Sequence, residues 1–184
     1  MKFLVDFSKF NNSWYSIKRN IALKTLWLLT SVIFFESKLF PFYGLKIYLL
    51  RLFGAQIGSH CVIKPCVKIK YPWNLNIGNY VWIGEQVWID NLGQVTIGNN
   101  VCISQGVLLI TGNHDYKKIG FDLILEQIIV EDGVWLCAKS IVGPGVICKT
   151  HSVLCLGSVT NHNLSSYGIY KGNPATKIRE RIIV

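Results

Sequence analysis

One short stretch of the chain gathers the side chains that group transfer needs. Thr111-Gly112-Asn113-His114-Asp115-Tyr116 sets an imidazole beside a carboxylate, an amide, a phenol and a glycine. An imidazole titrates near physiological pH, so His114 can take a proton from a hydroxyl and hand it back. That work requires its other ring nitrogen to be held, by a carboxylate or by a backbone carbonyl. Asp115, Glu126 and Asp90 are the available carboxylates, and Glu126 is favoured because it closes the same loop. Asp115 is so near in sequence that a turn-forming role suits it equally. A solvated loop histidine is the competing reading, and the place of His114 in the chain argues against it.

That place is defined by a repeat. From Ile57 an aliphatic residue recurs at every sixth position: Ile57, Ile63 and Ile69. After two-residue insertions come Ile77, Ile83, Ile89 and then Ile97, Ile103, Leu109; after a longer break come Val130, Leu136, Val142, Cys148 and Leu154. Thirteen of these fourteen sites are Ile, Leu or Val, which chance does not produce. The next residue is often glycine (Gly58, Gly78, Gly84, Gly98, Gly143), read as the requirement of a tight corner. The fourth residue after the aliphatic one is small or β-branched, from Cys61 and Val67 to Ser152 and Ser158. A period of six is neither helical nor a strand alternation. It describes a short strand plus a corner, and three such units close a triangular coil of about eighteen residues, stacked into a prism. Each buried aliphatic contributes about 1.5–3 kcal/mol before entropy is subtracted.

The repeat breaks from Ile110 to Ile129, and His114 lies five residues past Leu109, at the root of that excursion. Insertions in solenoids loop out on one face and often form binding sites. A base held by a rigid coil on one side and a mobile loop on the other suits transfer chemistry. Outside the repeat, residues 13–53 read as one or two amphipathic or apolar helices, broken near Pro41 and Gly44. They are expected to cap the first coil, whose open end would expose backbone edges. Gly172-Asn173-Pro174-Ala175 reads as a turn and 175–182 as a short C-terminal helix. The organisation is therefore mainly β: a helical cap over 1–54, a parallel β-helix over 55–164 with loop 110–129, and a tail over 165–184.

Composition narrows the partners. The chain is 51% hydrophobic and only 16% charged, which excludes a disordered protein. Its formal net charge of +9 predicts an anionic partner. Residues 1–53 hold eight Lys/Arg, among them Lys2 and Lys18, against Asp6 and Glu36, which is +6 of the total. Trp14, Trp27, Phe34, Phe35 and Phe40 lie among these cations. Two readings stay open for this region: contact with an anionic membrane surface, or a cap packed on the prism. The longest charge-free run there, Thr25–Phe35, is shorter than the roughly 20 apolar residues a spanning helix needs. Six cysteines with no C-x-x-C and no visible signal peptide read as thiols in a reducing cytoplasm. No metal is expected, because His60, His114, His151 and His162 are not spaced to converge on zinc. Trp82 and Trp88 hold equivalent places in successive hexads and are expected side by side, facing outward, to stack on a sugar or to pack on the N-terminal helices.

The segment Ile97–Asp115 (IGNNVCISQGVLLITGNHD) resembles galactoside, maltose and capsular-sugar acetyltransferases, and the likeness continues through Ile129–Pro144 and Gly172–Ala175. Leu50–Trp73 resembles acetyltransferases of the colanic-acid biosynthesis type. The chain thus resembles the hexapeptide-repeat acyltransferases, whose fold is a left-handed parallel β-helix. The handedness comes from this resemblance, since parallel crossovers are generally right-handed. The resemblance implies that His114 deprotonates an acceptor hydroxyl, whose oxygen attacks the thioester carbonyl of acetyl-CoA directly. Backbone N–H groups of an adjacent coil would stabilise the oxyanion. Asp90 and Asn91, at the insertion after Ile89, are implied acceptor contacts, and Asn113 and Trp88 join them as candidates. CoA would run in a groove between neighbouring prisms beside the small residues Ala138 and Gly157. Lys177 and Arg179 are candidates for its phosphates, and Asn161-His162 stand where many relatives carry Thr-Lys. The family is typically a homotrimer. The implied activity is acetyl transfer from acetyl-CoA to a sugar or lipid-linked glycan, an exopolysaccharide or O-antigen precursor, in the cytoplasm or at the inner face of the membrane, with no nucleic acid partner. The alternatives are a non-catalytic β-helix scaffold or binding module, an O-acetyltransferase for serine or a xenobiotic, and a zinc enzyme of the γ-type carbonic anhydrase kind.

Overall fold

The computed structural model describes residues 4–17 and 19–184; Lys2 and Lys18, two of the N-terminal cations, lie outside the described residues. Three parallel sheets form the faces of a prism. The first stacks Gln56–Ile57, Leu75–Ile77, Val95–Ile97, Ile128–Val130 and Ile147–Cys148. The second stacks Val62–Ile63, Trp82–Ile83, Cys102–Ile103, Trp135–Leu136 and Val153–Leu154. The third stacks Lys68–Ile69, Trp88–Asp90, Leu108–Ile110, Ile141–Val142 and Val159–Thr160. Identical repeat positions pair across coils, as Ile57 with Ile77 and Val130 with Cys148. All fourteen repeat sites are at most 8% exposed, and the fourth-position residues are buried between them. The two-residue insertions fall at one corner, between the third and first faces, so early coils run twenty residues and the coil from Val130 to Cys148 eighteen.

The corners correct the reading of the glycines. The left-handed backbone that a tight corner needs is taken by His60, Tyr80, Asn100, Gly133 and His151 at one corner, and by Cys66, Gln86, Gly106, Lys139 and Gly157 at the next. The glycines after the aliphatic sites have ordinary φ angles. They are glycine because the coils approach so closely: a Cβ on Gly78 would lie 2.7 Å from the carbonyl carbon of Gly98. The tryptophans need a correction too. Trp82 pairs with Val62 and Cys102 on the second face, and Trp88 with Lys68 and Leu108 on the third. Both face outward but not side by side, because successive hexads occupy successive faces.

The N-terminal helices α1 (Ile21–Thr30) and α2 (Tyr43–Leu52) cover the first coil. A π-helical turn, Ser31–Phe35, continues α1. The chain breaks around Pro41, whereas Gly44 lies inside α2. The coils exchange N–H···O bonds in both directions: Gly58 N–H donates to Ile77 O of the following coil, and Tyr80 N–H donates back to Ser59 O. The first coil has no coil before it, so carbonyls such as Ile57 O, the equivalent of Ile77 O, face outward. The cap supplies one donor for each face: Arg51 to Ile57 O at 2.7 Å, Lys46 Nζ to Lys64 O at 3.1 Å, and Trp27 Nε1 to Ile69 O at 3.0 Å. This meets the rule that buried backbone polar groups find partners. Burial holds the Lys46 ammonium below its ordinary pKa.

The tail contradicts the expected C-terminal helix. Ala175–Glu180 is a strand, antiparallel to Gly168–Gly172, which itself pairs in parallel with Val153–Leu154. The last strand of the second face would otherwise end in an open edge, and the hairpin pairs with it directly. Arg181 then reaches back to Gly133 O at 2.8 Å.

Candidate active site

The strand Leu108–Ile110 and the strand Ile128–Val130 both stay in the prism, so the excursion proper is 111–127. It is a hairpin: Gly112–His114 pairs antiparallel with Leu123–Leu125. Its root is closed by Glu126 N–H to Thr111 O, and the buried Thr111 hydroxyl donates to Asp90 O at 3.0 Å while accepting from Gly93 N–H. The loop is therefore braced rather than mobile at its base.

His114 is half-buried near the end of the first hairpin strand. Its Nδ1 lies 2.8 Å from Phe121 O. A carbonyl can only accept, so Nδ1 carries the hydrogen in the neutral ring and Nε2 holds the free lone pair. The Phe121 ring stacks on the imidazole, 4.5 Å between centroids and 7° from parallel. Phe121 has a φ of 54°, unusual for a bulky residue. Glu126 is not the partner. It is exposed at the loop's end, its carboxylate lying over Gly145, where a Cβ would have no room. Asp115 accepts from Lys117 N–H at 3.1 Å and makes the turn.

The N-terminal arm, residues 4–17, lies against this hairpin, which nothing in the repeat predicts. Asp6 N–H donates to Ile119 O at 2.9 Å, and Asn11 N–H to Asp122 Oδ1 at 3.1 Å. Phe7 meets Phe121 edge-on, and the Phe10 ring lies 6.0 Å from His114. Lys9 O packs so tightly on Gly120 that only glycine fits there. Gly120, within the eight residues that connect the two strands, was the available turn signal.

Two cavities lie between the arm, α1 and the prism. One of about 450 Å³ is lined by Lys24, Trp27, Lys68, Tyr71, Trp88 and Asp90. A second, of about 620 Å³, shares Lys24 and Tyr71 and reaches Phe10 and Leu123, the strand partner of His114. Asp90 and Trp88 thus border the first cavity, while Phe10 and Leu123, both neighbours of His114, border the second. Asp90 Oδ1 sits 2.8 Å from Lys70 Nζ, a close charge contact rather than a well-aimed hydrogen bond. Tyr15 lines the second cavity, its hydroxyl donating to Leu92 O at 3.1 Å; burial pushes this phenol up to about 12, with Tyr71 and Asp90 adding to the effect. Asn91 is a correction. It is fully buried and spends its amide on Tyr71 N–H, Tyr71 O and Asn74 O, holding the inserted corner. Asn113 is exposed and accepts from His114 N–H at 2.8 Å.

The remaining candidates lie toward the other end. Gly157 N–H donates to Ala138 O at 3.0 Å, so these small residues stack at one corner, and nothing crowds the space a Gly157 side chain would fill. Asn161 and His162 follow the last strand of the third face, where the Thr160 hydroxyl donates to His162 O. Lys177 and Arg179 lie exposed on the tail hairpin, and Lys177 is paired with Glu180, which raises its pKa. Among the described residues no three His, Cys, Asp or Glu side chains converge as a metal site.

No protein-family profile matches the chain. It is 38% identical over 162 residues to WcaF of Escherichia coli strain K12, named as a colanic acid biosynthesis acetyltransferase, with 88% of each chain covered. The chain belongs to the hexapeptide-repeat acetyltransferases. Galactoside O-acetyltransferase of Escherichia coli strain K12 is 29% identical to this acetyltransferase over 136 residues, 72% of this chain and 66% of that protein. Among solved structures, a hexapeptide-repeat-containing acetyltransferase from Vibrio cholerae, complexed with acetyl-CoA, superposes with a TM-score of 0.78 at 22% identity, over 88% of each chain. A maltose O-acetyltransferase from Clostridium difficile 630 superposes at 0.73 and 20% identity, over 89% of this chain and 90% of that one. At these identities the structures speak for the fold, the left-handed parallel β-helix.

Proposed function

We propose that this acetyltransferase moves an acetyl group from acetyl-CoA to a hydroxyl of a sugar, on a polysaccharide or O-antigen precursor, with His114 as general base. The observation that carries the reading is the Nδ1 contact with Phe121 O, which leaves Nε2 as the basic nitrogen. Nε2 takes the proton of the acceptor hydroxyl as its oxygen bonds to the thioester carbonyl carbon. The tetrahedral intermediate collapses by breaking the C–S bond, and the proton passes from Nε2 to the departing sulfur. Histidine, acceptor and thioester suffice, and no acyl-enzyme forms.

The sugar acceptor is supported by the names of the relatives and by the first cavity, where Trp88 and Tyr71 offer aromatic faces beside the Asp90 carboxylate. Acetyl-CoA as donor is supported by the Vibrio cholerae complex and by the uncrowded corner at Ala138 and Gly157. The tail cations Lys177 and Arg179 and the pair Asn161-His162 are the proposed phosphate contacts. A homotrimer gives the CoA groove its second wall. Six free thiols suit a reducing cytoplasm.

Thiol release from acetyl-CoA, followed against nucleotide sugars, lipid-linked glycans, serine and chloramphenicol-like alcohols, tests the reading. Release that depends on a sugar acceptor supports it. Release that depends only on serine or a xenobiotic overturns the acceptor class, and release that no member of the panel increases overturns transfer to these hydroxyls.

A further inference from the structure

Helix α1 and the turn that continues it, residues 21–35, are apolar on both sides, whereas a helix packed on a core needs only one apolar stripe. The side facing the prism carries the buried Trp27 and Phe35, with Leu23 and Phe34 packed against the core, and it is also the side that holds Lys24, Thr30 and Ser31. The side facing solvent carries Ile21, Leu26, Leu28, Leu29, Val32 and Ile33, each 49–77% exposed. Ala22 and Thr25, also exposed, are the only other residues on it. At helical spacing these eight positions fill one arc of about 160° without a charge. A continuous exposed apolar face marks an interaction surface.

Charge decides the occupant. Over residues 19–53 Lys46 and Arg51 are turned to the first coil; the cations left for this face are the exposed Arg19 and Lys38 and the partly exposed Lys24, and the one acid is Glu36, whose carboxylate lies 3.8 Å from Lys68. A second copy laid on this face would bring cation against cation, on a chain of net charge +9. A bilayer with anionic headgroups offers acyl chains to the arc and negative charge to its rim. Leu39 and Phe42, exposed beside Lys38 in the turn that follows, extend the same composition. Fifteen residues rise about 22 Å, short of the roughly 30 Å hydrocarbon core. Among the described residues no helix is long and apolar enough to cross a membrane.

We propose that the outward face of residues 21–35 lies in the headgroup region of an anionic membrane, holding the protein at the surface without spanning it. The inference stands apart from acetyl transfer and needs no turnover to test. The full chain is sedimented with phosphatidylcholine vesicles and with vesicles that also contain phosphatidylglycerol, while light scattering gives its mass in solution. Binding is expected to the anionic vesicles, weaker to the neutral ones, and reduced by salt. The double variant Leu29→Glu/Ile33→Glu is expected to lose at least about tenfold in partition, with an unchanged melting temperature and mass, since both side chains face outward. Wild-type protein that sediments with neither vesicle overturns the proposal. Undiminished binding by the double variant does so as well, and so does a fall in its oligomeric mass, which would assign the face to a neighbouring subunit.

Discussion

Phe121 holds His114 twice, accepting from Nδ1 through its carbonyl at 2.8 Å and stacking its ring on the imidazole at 4.5 Å. The left-handed φ of 54° at Phe121 lets one residue present both groups to one ring. Such backbone costs on the order of 1–3 kcal/mol and persists only where its surroundings enforce it; here the arm enforces it through Phe7 and Asn11.

Phe121→Ala keeps the carbonyl but removes the stack. The expected outcome is a fall in kcat of roughly ten- to a hundredfold, the scale of a small misplacement of a catalytic group, with KM for acetyl-CoA unchanged. Steady-state kinetics check it, and an unaltered kcat would mean that the stack has no positioning role.

Glu126→Gln and Asn91→Ala should separate cleanly. Glu126 makes no contact with the imidazole, so its variant should keep activity within about twofold. Asn91→Ala strands three backbone groups at a buried corner, each costing about 1–3 kcal/mol when unpaired, less what water recovers. Urea unfolding should show Asn91→Ala destabilised by at least about 2 kcal/mol and Glu126→Gln unchanged.

The cap donors should matter to stability and not to chemistry. Trp27→Phe removes the donor to Ile69 O, and Lys46→Met removes the donor to Lys64 O. Each should cost about 1–3 kcal/mol in urea unfolding, with kcat per folded molecule unchanged. Lys46→Met should fall at the low end, because it also relieves the burial of a charge.

Cys148 is the one repeat site that is not Ile, Leu or Val, and complete burial pushes its thiol from 9.0 up to about 12, with the charge of Glu131 adding. A pKa raised by folding contributes stability that is fully present below pH about 9 and lost as pH climbs toward about 12. Wild-type protein should therefore lose more unfolding free energy between pH about 8 and about 10.5 than Cys148→Val does. Near neutrality the two should agree within about 1.5 kcal/mol, because the swap nearly conserves volume. Parallel alkaline curves would contradict the assignment.

The prism was legible because a six-residue register writes itself into every coil: each site from Ile57 to Leu154 is buried where the spacing puts it. What depends on one coil meeting another was less legible. Gly78 looks like a corner residue in sequence, and only the packed coils show it is small because Gly98 lies against it. Trp82 and Trp88 look adjacent by six, yet a three-sided coil makes neighbours of residues eighteen or twenty apart. At the site, the loop position singled out His114. Its partner is hidden in the sequence because a backbone carbonyl leaves no residue-type signature, whereas Glu126 carries a visible carboxylate. Asn91 looked like a ligand-binding amide for a similar reason: its partners are backbone atoms of a corner that only the fold assembles.

In the proposed reaction Nε2 of His114 accepts the acceptor's proton. The direct measurement is thiol release from acetyl-CoA by wild-type protein and His114→Ala, with the acceptor that the panel identifies. The variant is expected to fold and bind acetyl-CoA as wild type does, with turnover lower by at least about 10²-fold. Turnover equal to wild type in a folded variant would contradict this role of His114.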